Sequence, residues 1–360
     1  MPRPDLFRRE KTKRIHIPHP FFFDPLGGVD EKGNVIQLAD DRMENLRSWL
    51  HNCTRFQGIE LETASEDASF RRYFRFRWEG KSYVVMDAPP DKEPCEPFVR
   101  IGDWMRKAGV RVPEIFEQKV EDGFLVLSDF GDLHYQEALE GTERDRLYDL
   151  AIDEILRFQN RLATASLELP VFDTAWQEKE LEIFREWCLP DLTTEEYLSR
   201  TRELIHAVDQ IPKTFMHRDF HCRNLLLTKE GTPGVIDFQG AMRGPITYDL
   251  VSLLRDCYLD NDPNWIDQKV SVYRTSLIRQ GDLEEEVKES EFLRWFDLAG
   301  LQRHLKCIGI FHRLKLRDGK PAYLQDVPRI FAYVETVLNR NPELGELRTL
   351  MKEAHILSPL

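Results

Sequence analysis

The sequence predicts an α+β molecule of two unequal lobes, a small β-rich one followed by a larger, mainly helical one. Three observations predict it. Residues 58–130 hold short apolar–polar alternations of strand length, whereas from about Gly131 onward the apolar spacing turns helical. The 360 residues also exceed the roughly 150 of a single domain. With 41% hydrophobic and 31% charged residues, the composition is that of an ordinary globular chain. Lys+Arg of 50 against Asp+Glu of 63 leaves a net charge of −13, which argues against broad nucleic-acid binding. No apolar run approaches the length of about 18 residues that a membrane helix needs.

Residues 1–40 read as an N-terminal extension, partly disordered, with prolines, Gly27, Gly28 and Gly33. The basic start is followed only by Phe21–Phe23, hemmed by Pro18, Pro20 and Pro25, so no secretory signal is expected. A helix is predicted from about Asp41, with Leu46, Trp49 and Leu50 facing a core. Residues 41–130 form the predicted N-lobe. In it, Phe70–Trp78 and Lys81–Met86 read as strands joined by a hairpin at Glu79-Gly80. A helix over Glu96–Ala108 and a buried strand at Phe124–Leu127 follow. Residues 131–345 form the predicted C-lobe, and 346–360 a tail. The C-lobe carries helices over Arg144–Ala163, Leu192–Val208, Val251–Tyr258, Trp265–Gln280, Phe292–Leu316 and Val327–Leu338. Lys213–Met216 and Gly234–Phe238 are its strands. The six cysteines are scattered without a C-x-x-C pair, which reads as reduced thiols in a cytoplasmic protein rather than a disulfide scaffold or zinc site.

The strongest chemical signal is His217-Arg218-Asp219-Phe220-His221-Cys222-Arg223-Asn224, followed by Ile236-Asp237-Phe238. An aspartate, an asparagine five residues on and a second aspartate after a short strand suit phosphoryl transfer. Asp219 can accept the proton of an attacking hydroxyl. Asn224 and Asp237 offer the hard oxygens that Mg2+ prefers. Taken singly, each also reads as a cap or turn residue.

These residues resemble the aminoglycoside phosphotransferase-like branch of the protein-kinase-like fold, over about residues 40–340. The looser H-x-D-x-x-x-x-N loop, and Ile-Asp-Phe in place of Asp-Phe-Gly, favour small-molecule kinases. The chain is closer still to the bacterial anomeric kinases of N-acetylmuramate and N-acetylglucosamine. That likeness rests on Ala68–Arg75, Met86–Pro90, Ile236–Ala241, Gly244–Asp256 and Leu301–Lys306. The resemblance implies an ATP- and Mg2+-dependent sugar 1-kinase of peptidoglycan recycling, with Asp219 as base and Asn224 and Asp237 as metal ligands. It also implies that Asp249, with His217, supports the catalytic loop; an N-cap role for Asp249 predicts the same position. A monomer with a small-molecule sugar substrate and no nucleic-acid or membrane partner is expected.

The nucleotide site departs from the kinase pattern. Ser65–Ser69 stands at the phosphate-loop position without glycine, and Val84-Val85-Met86-Asp87 stands where Val-Ala-Ile-Lys would be. Ser69 and Arg71 or Arg72 are candidates for the phosphates, since guanidinium suits phosphate forks; both arginines equally suit a solvated strand face. Ser128 and Phe130 mark the expected hinge. On the acceptor side, Arg223 and Gln239 flank the base and a metal ligand. Arg303 and His304 belong to a basic stretch suited to a carboxylate-bearing sugar. Glu182 and Trp187 lie on a helix before the catalytic loop, where a tryptophan either stacks on a sugar or fills the core. Alternatives are another acceptor (an aminoglycoside, another sugar or an amino alcohol) and a non-catalytic nucleotide-binding scaffold.

Overall fold

The computed structural model describes residues 41–66 and 70–354; residues 1–40 and Ser69 lie outside it. It divides into two compact units at Gly58. In the first, α1 (Asp41–Cys53) buries Leu46, Trp49 and Leu50, the three residues its spacing singled out.

The second unit opens with an antiparallel sheet of five strands in the order β1-β2-β3-β5-β4. These are β1 (Glu62–Glu66), β2 (Arg72–Trp78), β3 (Lys81–Asp87), β4 (Ile115–Lys119) and β5 (Phe124–Ser128). The β2–β3 hairpin turns at Glu79 (φ 47°) and Gly80 (φ 75°), the two positive dihedrals that a tight hairpin turn requires. Between β3 and β4 runs α2 (Glu96–Lys107), which buries Phe98, Ile101, Gly102 and Met105 on one stripe.

The remainder is mostly helical: α3 (Tyr135–Ala138), α4 (Arg144–Arg161), α5 (Thr174–Cys188), α6 (Thr194–Asp209), α7 (Tyr248–Leu254), α8 (Pro263–Gln280), α9 (Glu289–Leu316), α10 (Val327–Arg340) and α11 (Gly345–Glu353). Their ends follow the local sequence. Thr193 and Glu196 form a reciprocal capping box at α6, while Asp262 caps α8 ahead of Pro263. Among these helices α9 is buried nearly all round from Phe296 to Ile308 and packs on α5, α6, α7, α8 and α10. A Cβ at Gly309 would come within 2.6 Å of the Phe184 backbone nitrogen, so the glycine permits a close α5–α9 crossing. The chain end expected as a tail contains α11, whose Leu347, Leu350 and Met351 are buried.

Two small ribbons lie among the helices. β6 (Lys213–Met216) pairs with β9 (Met242–Pro245), and β7 (Leu225–Leu227) pairs with β8 (Pro233–Val235). The strand predicted to run to Phe238 stops at Val235, because Asp237 has φ 63° and cannot continue a ladder.

Candidate active site

The loop from β6 to β7 carries Asp219 and Asn224, and α7 holds it from both ends. Asp249, in the first turn of α7, accepts the backbone N–H groups of His217 (2.7 Å) and Arg218 (2.9 Å) on its two oxygens. Asp256, just past the helix, accepts those of Cys222 (2.8 Å) and Tyr258 (2.9 Å). Burial pushes the Asp249 carboxyl up to about 7, although both N–H groups favour its ionised form. His217 is fully buried and donates through Nε2 to the Ile236 carbonyl at 3.1 Å, tying the loop to the segment that carries Asp237. Burial lowers its pKa to about 4, so it is neutral. Arg218 has φ 79°, a left-handed conformation that costs a non-glycine residue roughly 1–3 kcal/mol, immediately before the candidate base.

Three sequence-predicted residues meet at the end of this loop. The Asn224 amide nitrogen donates to the Asp219 carbonyl at 2.9 Å and to the Asp237 carboxylate at 3.3 Å. Gln239 donates to the other Asp237 oxygen at 2.6 Å. Phe238 turns the opposite way, packing on Phe98 with ring centroids 4.8 Å apart and planes tilted by 34°, and lying against Gly102 of α2. The Asn224 oxygen, opposite its engaged nitrogen, and the exposed Asp237 carboxylate form a pair of hard donors. Among the described residues no group of three or more His, Cys, Asp or Glu side chains could enclose a metal. The pair fits Mg2+, which completes its shell with water and phosphate oxygens, rather than a metal caged by protein.

Burial alone would raise the Asp219 pKa, but surrounding cations outweigh it. Lys306, Arg218 and Arg303 hold its carboxyl well below the usual range, so it is ionised.

Sequence reasoning missed the residue that holds two of these cations, Arg218 and Lys306. Glu180, 4% exposed on α5, accepts from Arg218 (3.1 Å), Lys306 (3.5 Å) and Trp176 Nε1 (3.3 Å) on one oxygen, and from Gln302 (3.2 Å) on the other. The signal was available. Gln177, Glu180, Leu181 and Phe184 make the buried stripe of α5, so Glu180 is an acid at a core position. Glu182, the acid chosen from sequence, points off that stripe. It pairs with Arg185 at 2.6 Å and accepts from Thr194 at 3.0 Å, joining α5 to α6 instead of lining the site.

Comparison with known proteins gives the family. The phosphotransferase enzyme family matches residues 60–287. The chain belongs to that family. It is 41% identical to the N-acetylmuramate/N-acetylglucosamine kinase of Pseudomonas aeruginosa, over 87% of this chain and 97% of that protein. It is also 41% identical to the protein of the same name in Pseudomonas putida, over 81% and 88%. Among solved structures, the GDP complex of aminoglycoside 2'-phosphotransferase-IIIa superposes with a TM-score of 0.56 at 16% identity, covering 81% of this chain and 99% of that one. The chain is therefore a phosphotransferase with the two-lobed α+β kinase-like fold.

The phosphotransferase places the remaining predicted residues unevenly. Arg72 on β2 reaches across to Asp87 on β3, donating through Nε at 2.9 Å; Asp87, at the lysine-equivalent position, is fully buried. Arg71 is tied to Glu93 at 2.7 Å, and its side chain is 10% exposed against 37% for Arg72, so Arg72 is the more accessible of the two. Ser128 is occupied structurally, because its hydroxyl accepts from the Glu114 N–H at 2.9 Å. Beside it Asp129, within the expected hinge, binds Arg75 (2.8 Å) and the Gly131 N–H (2.9 Å). Phe130 packs over Gly234, where a Cβ would come within 2.5 Å of its ring.

On the acceptor side, the Arg223 guanidinium lies 3.5 Å above the Tyr258 ring centroid and donates to Gln136 at 2.8 Å. Gln239 serves Asp237, as described. Trp187 is half-buried on α5. Arg303 and His304 part company. Arg303 acts on Asp219, whereas His304 is fully buried, meets the Arg255 carbonyl at 2.9 Å and stacks on Tyr333. His304 is thus a core residue, which corrects the expectation that it binds substrate. No helix among the described residues is long and apolar enough to cross a membrane.

Proposed function

We propose that this phosphotransferase moves the terminal phosphoryl group of ATP to the anomeric hydroxyl of N-acetylmuramate, N-acetylglucosamine or both, as a step of peptidoglycan recycling. The observation that carries the reading is the Asn224 amide, which links the Asp219 backbone to the Asp237 carboxylate. It joins a candidate base to candidate metal ligands, as in-line transfer to an alcohol requires. The 41% identity to two kinases of these sugars supports the acceptor class.

Asp219 orients the acceptor hydroxyl and takes its proton as the oxygen becomes a nucleophile. Its ionised state suits that role. Asp249 and Asp256 fix the loop, so little reorganisation is needed when the acceptor arrives. Asn224 and Asp237 would hold Mg2+, which neutralises charge on the donor phosphates when bound. Arg72 is the proposed phosphate cation on the N-lobe side. The cations around Asp219 disfavour a polycationic aminoglycoside, which would be repelled there.

The test is incubation with ATP, Mg2+ and each amino sugar, with the sugar α-1-phosphate read by phosphorus NMR. Asp219→Asn should lower kcat by about 10²- to 10⁴-fold while sugar and nucleotide still bind. Turnover of an aminoglycoside or choline, with none of either sugar, rejects the acceptor assignment.

A further inference from the structure

The cations around Asp219 are not balanced by acids. Arg303, on α9, is 2% exposed. Its Nη1 donates only to the Cys257 thiol at 3.5 Å, and its Nε is buried with no hydrogen-bond partner. No carboxylate among the described residues forms an ion pair with it. Lys306, 4% exposed, has two long contacts, 3.5 Å to Glu180 and 3.5 Å to the Tyr248 hydroxyl. It shares Glu180 with Arg218, so three cations, Arg218, Lys306 and Arg303, face two acids, Glu180 and Asp219, and one positive charge is left over.

A buried positive charge in excess of the acids around it is costly, and proteins rarely retain one. Here the cost makes sense if an incoming anion completes the site. Arg303 and Lys306 are three residues apart and share one face of α9. Lys306 shares a Glu180 oxygen with Arg218, the neighbour of Asp219, and Arg303 touches Cys257, next to the Asp256 that holds the Cys222 N–H, so both cations lie along the loop that bears the candidate base.

We propose that Arg303 and Lys306 form an anion subsite that takes the carboxylate of an acidic amino sugar, so that α9 sets the preference for an acidic over a neutral acceptor. The inference rests on the functional reading above and narrows its acceptor class. Two anions could reach this face, the acceptor carboxylate and the donor terminal phosphoryl group. The guanidinium fork suits either, and the experiment separates them.

With the unmodified protein and saturating ATP, kcat/KM is measured for N-acetylmuramate, its methyl ester and N-acetylglucosamine. The expected result is at least a tenfold loss on masking the carboxylate, carried by KM. Arg303→Met should then cut kcat/KM for the acid at least tenfold more than for N-acetylglucosamine, and bring acid and ester together. Arg303→Lys should restore part of the preference. Equal losses on both sugars with a raised KM for ATP would assign the cations to the phosphoryl group and overturn the subsite. So would an ester as good as the acid, a comparison that needs no variant and stands even if Arg303→Met fails to fold. Absence of turnover with all three sugars removes the acceptor assignment itself.

Discussion

Glu180 and Lys306, 126 residues apart in sequence, meet at 3.5 Å between α5 and α9, with Arg218 on the same carboxylate oxygen. Through Arg218, this buried contact ties α5 and α9 to the loop that bears the candidate base, which Asp249 and Asp256 also hold. Removing one partner of such a pair leaves an uncompensated charge, a loss of about 3–5 kcal/mol. Glu180→Gln should lower kcat at least tenfold with little change in the KM for ATP. Lys306→Met in the same background should add less than it costs alone, and Glu180→Asp should recover part of the rate. Additive losses in a double-mutant cycle would deny the coupling.

Arg72 stands at the edge of the candidate nucleotide site with Asp87 fixing its guanidinium. Arg72→Lys keeps the charge but loses the planar fork, so the KM for ATP should rise about tenfold with a smaller change in melting temperature. Arg71→Lys, at the residue held by Glu93, should shift that KM much less. The reverse ranking would move the phosphate contact to Arg71.

His304 carries a pH signature. Burial lowers its pKa from 6.5 to about 3, so the fold excludes a proton that the unfolded chain takes up. Its contribution is complete above pH 6.5 and is lost as pH falls towards 3. Asp249 works in the opposite sense: raised from 3.8 to about 7, it favours the fold most below pH 3.8 and loses that contribution as pH rises through 7. Comparison of His304→Gln with the parent isolates the histidine. Between pH 6.5 and 4 the variant should gain on the parent by about 1–3 kcal/mol as pH is lowered. A flat difference in melting temperature would show that His304 is not buried in the neutral form.

Gly309 tests the crossing of α5 and α9. Gly309→Ala places a Cβ against backbone that cannot swing aside, and overpacking of this kind costs about 1–3 kcal/mol. Gly345→Ala, where a Cβ meets nothing within 4 Å, should be neutral or slightly stabilising. Thermal unfolding of the two variants makes the comparison, and equal melting temperatures would mean that the helices can part at no cost.

The candidate catalytic segment was legible in the sequence because its information is local. Asp219, Asn224 and Asp237 lie within one loop–ribbon–loop stretch, and backbone turns bring them together. The long helices were legible through their apolar period. Edge strands were not: β4 is only half-buried and lacks clean alternation, and β9 is Met-Arg-Gly-Pro. Contacts across long separations were hidden as well. Nothing near Glu180 announces Lys306, and the choice of Glu182 found the right helix but the wrong side, since two residues turn the chain by more than half a circle. Asp256 was visible as part of a motif, but its bond to the Cys222 N–H required the folded loop.

Phe238 lies directly against Phe98 and Gly102, so the packing of α2 bears on the residue next to Asp237. A compound wedged beneath that helix and displacing Phe238 would misalign the carboxylate. Such an inhibitor would resemble neither nucleotide nor sugar, and a rise in the cellular level of either would not displace it.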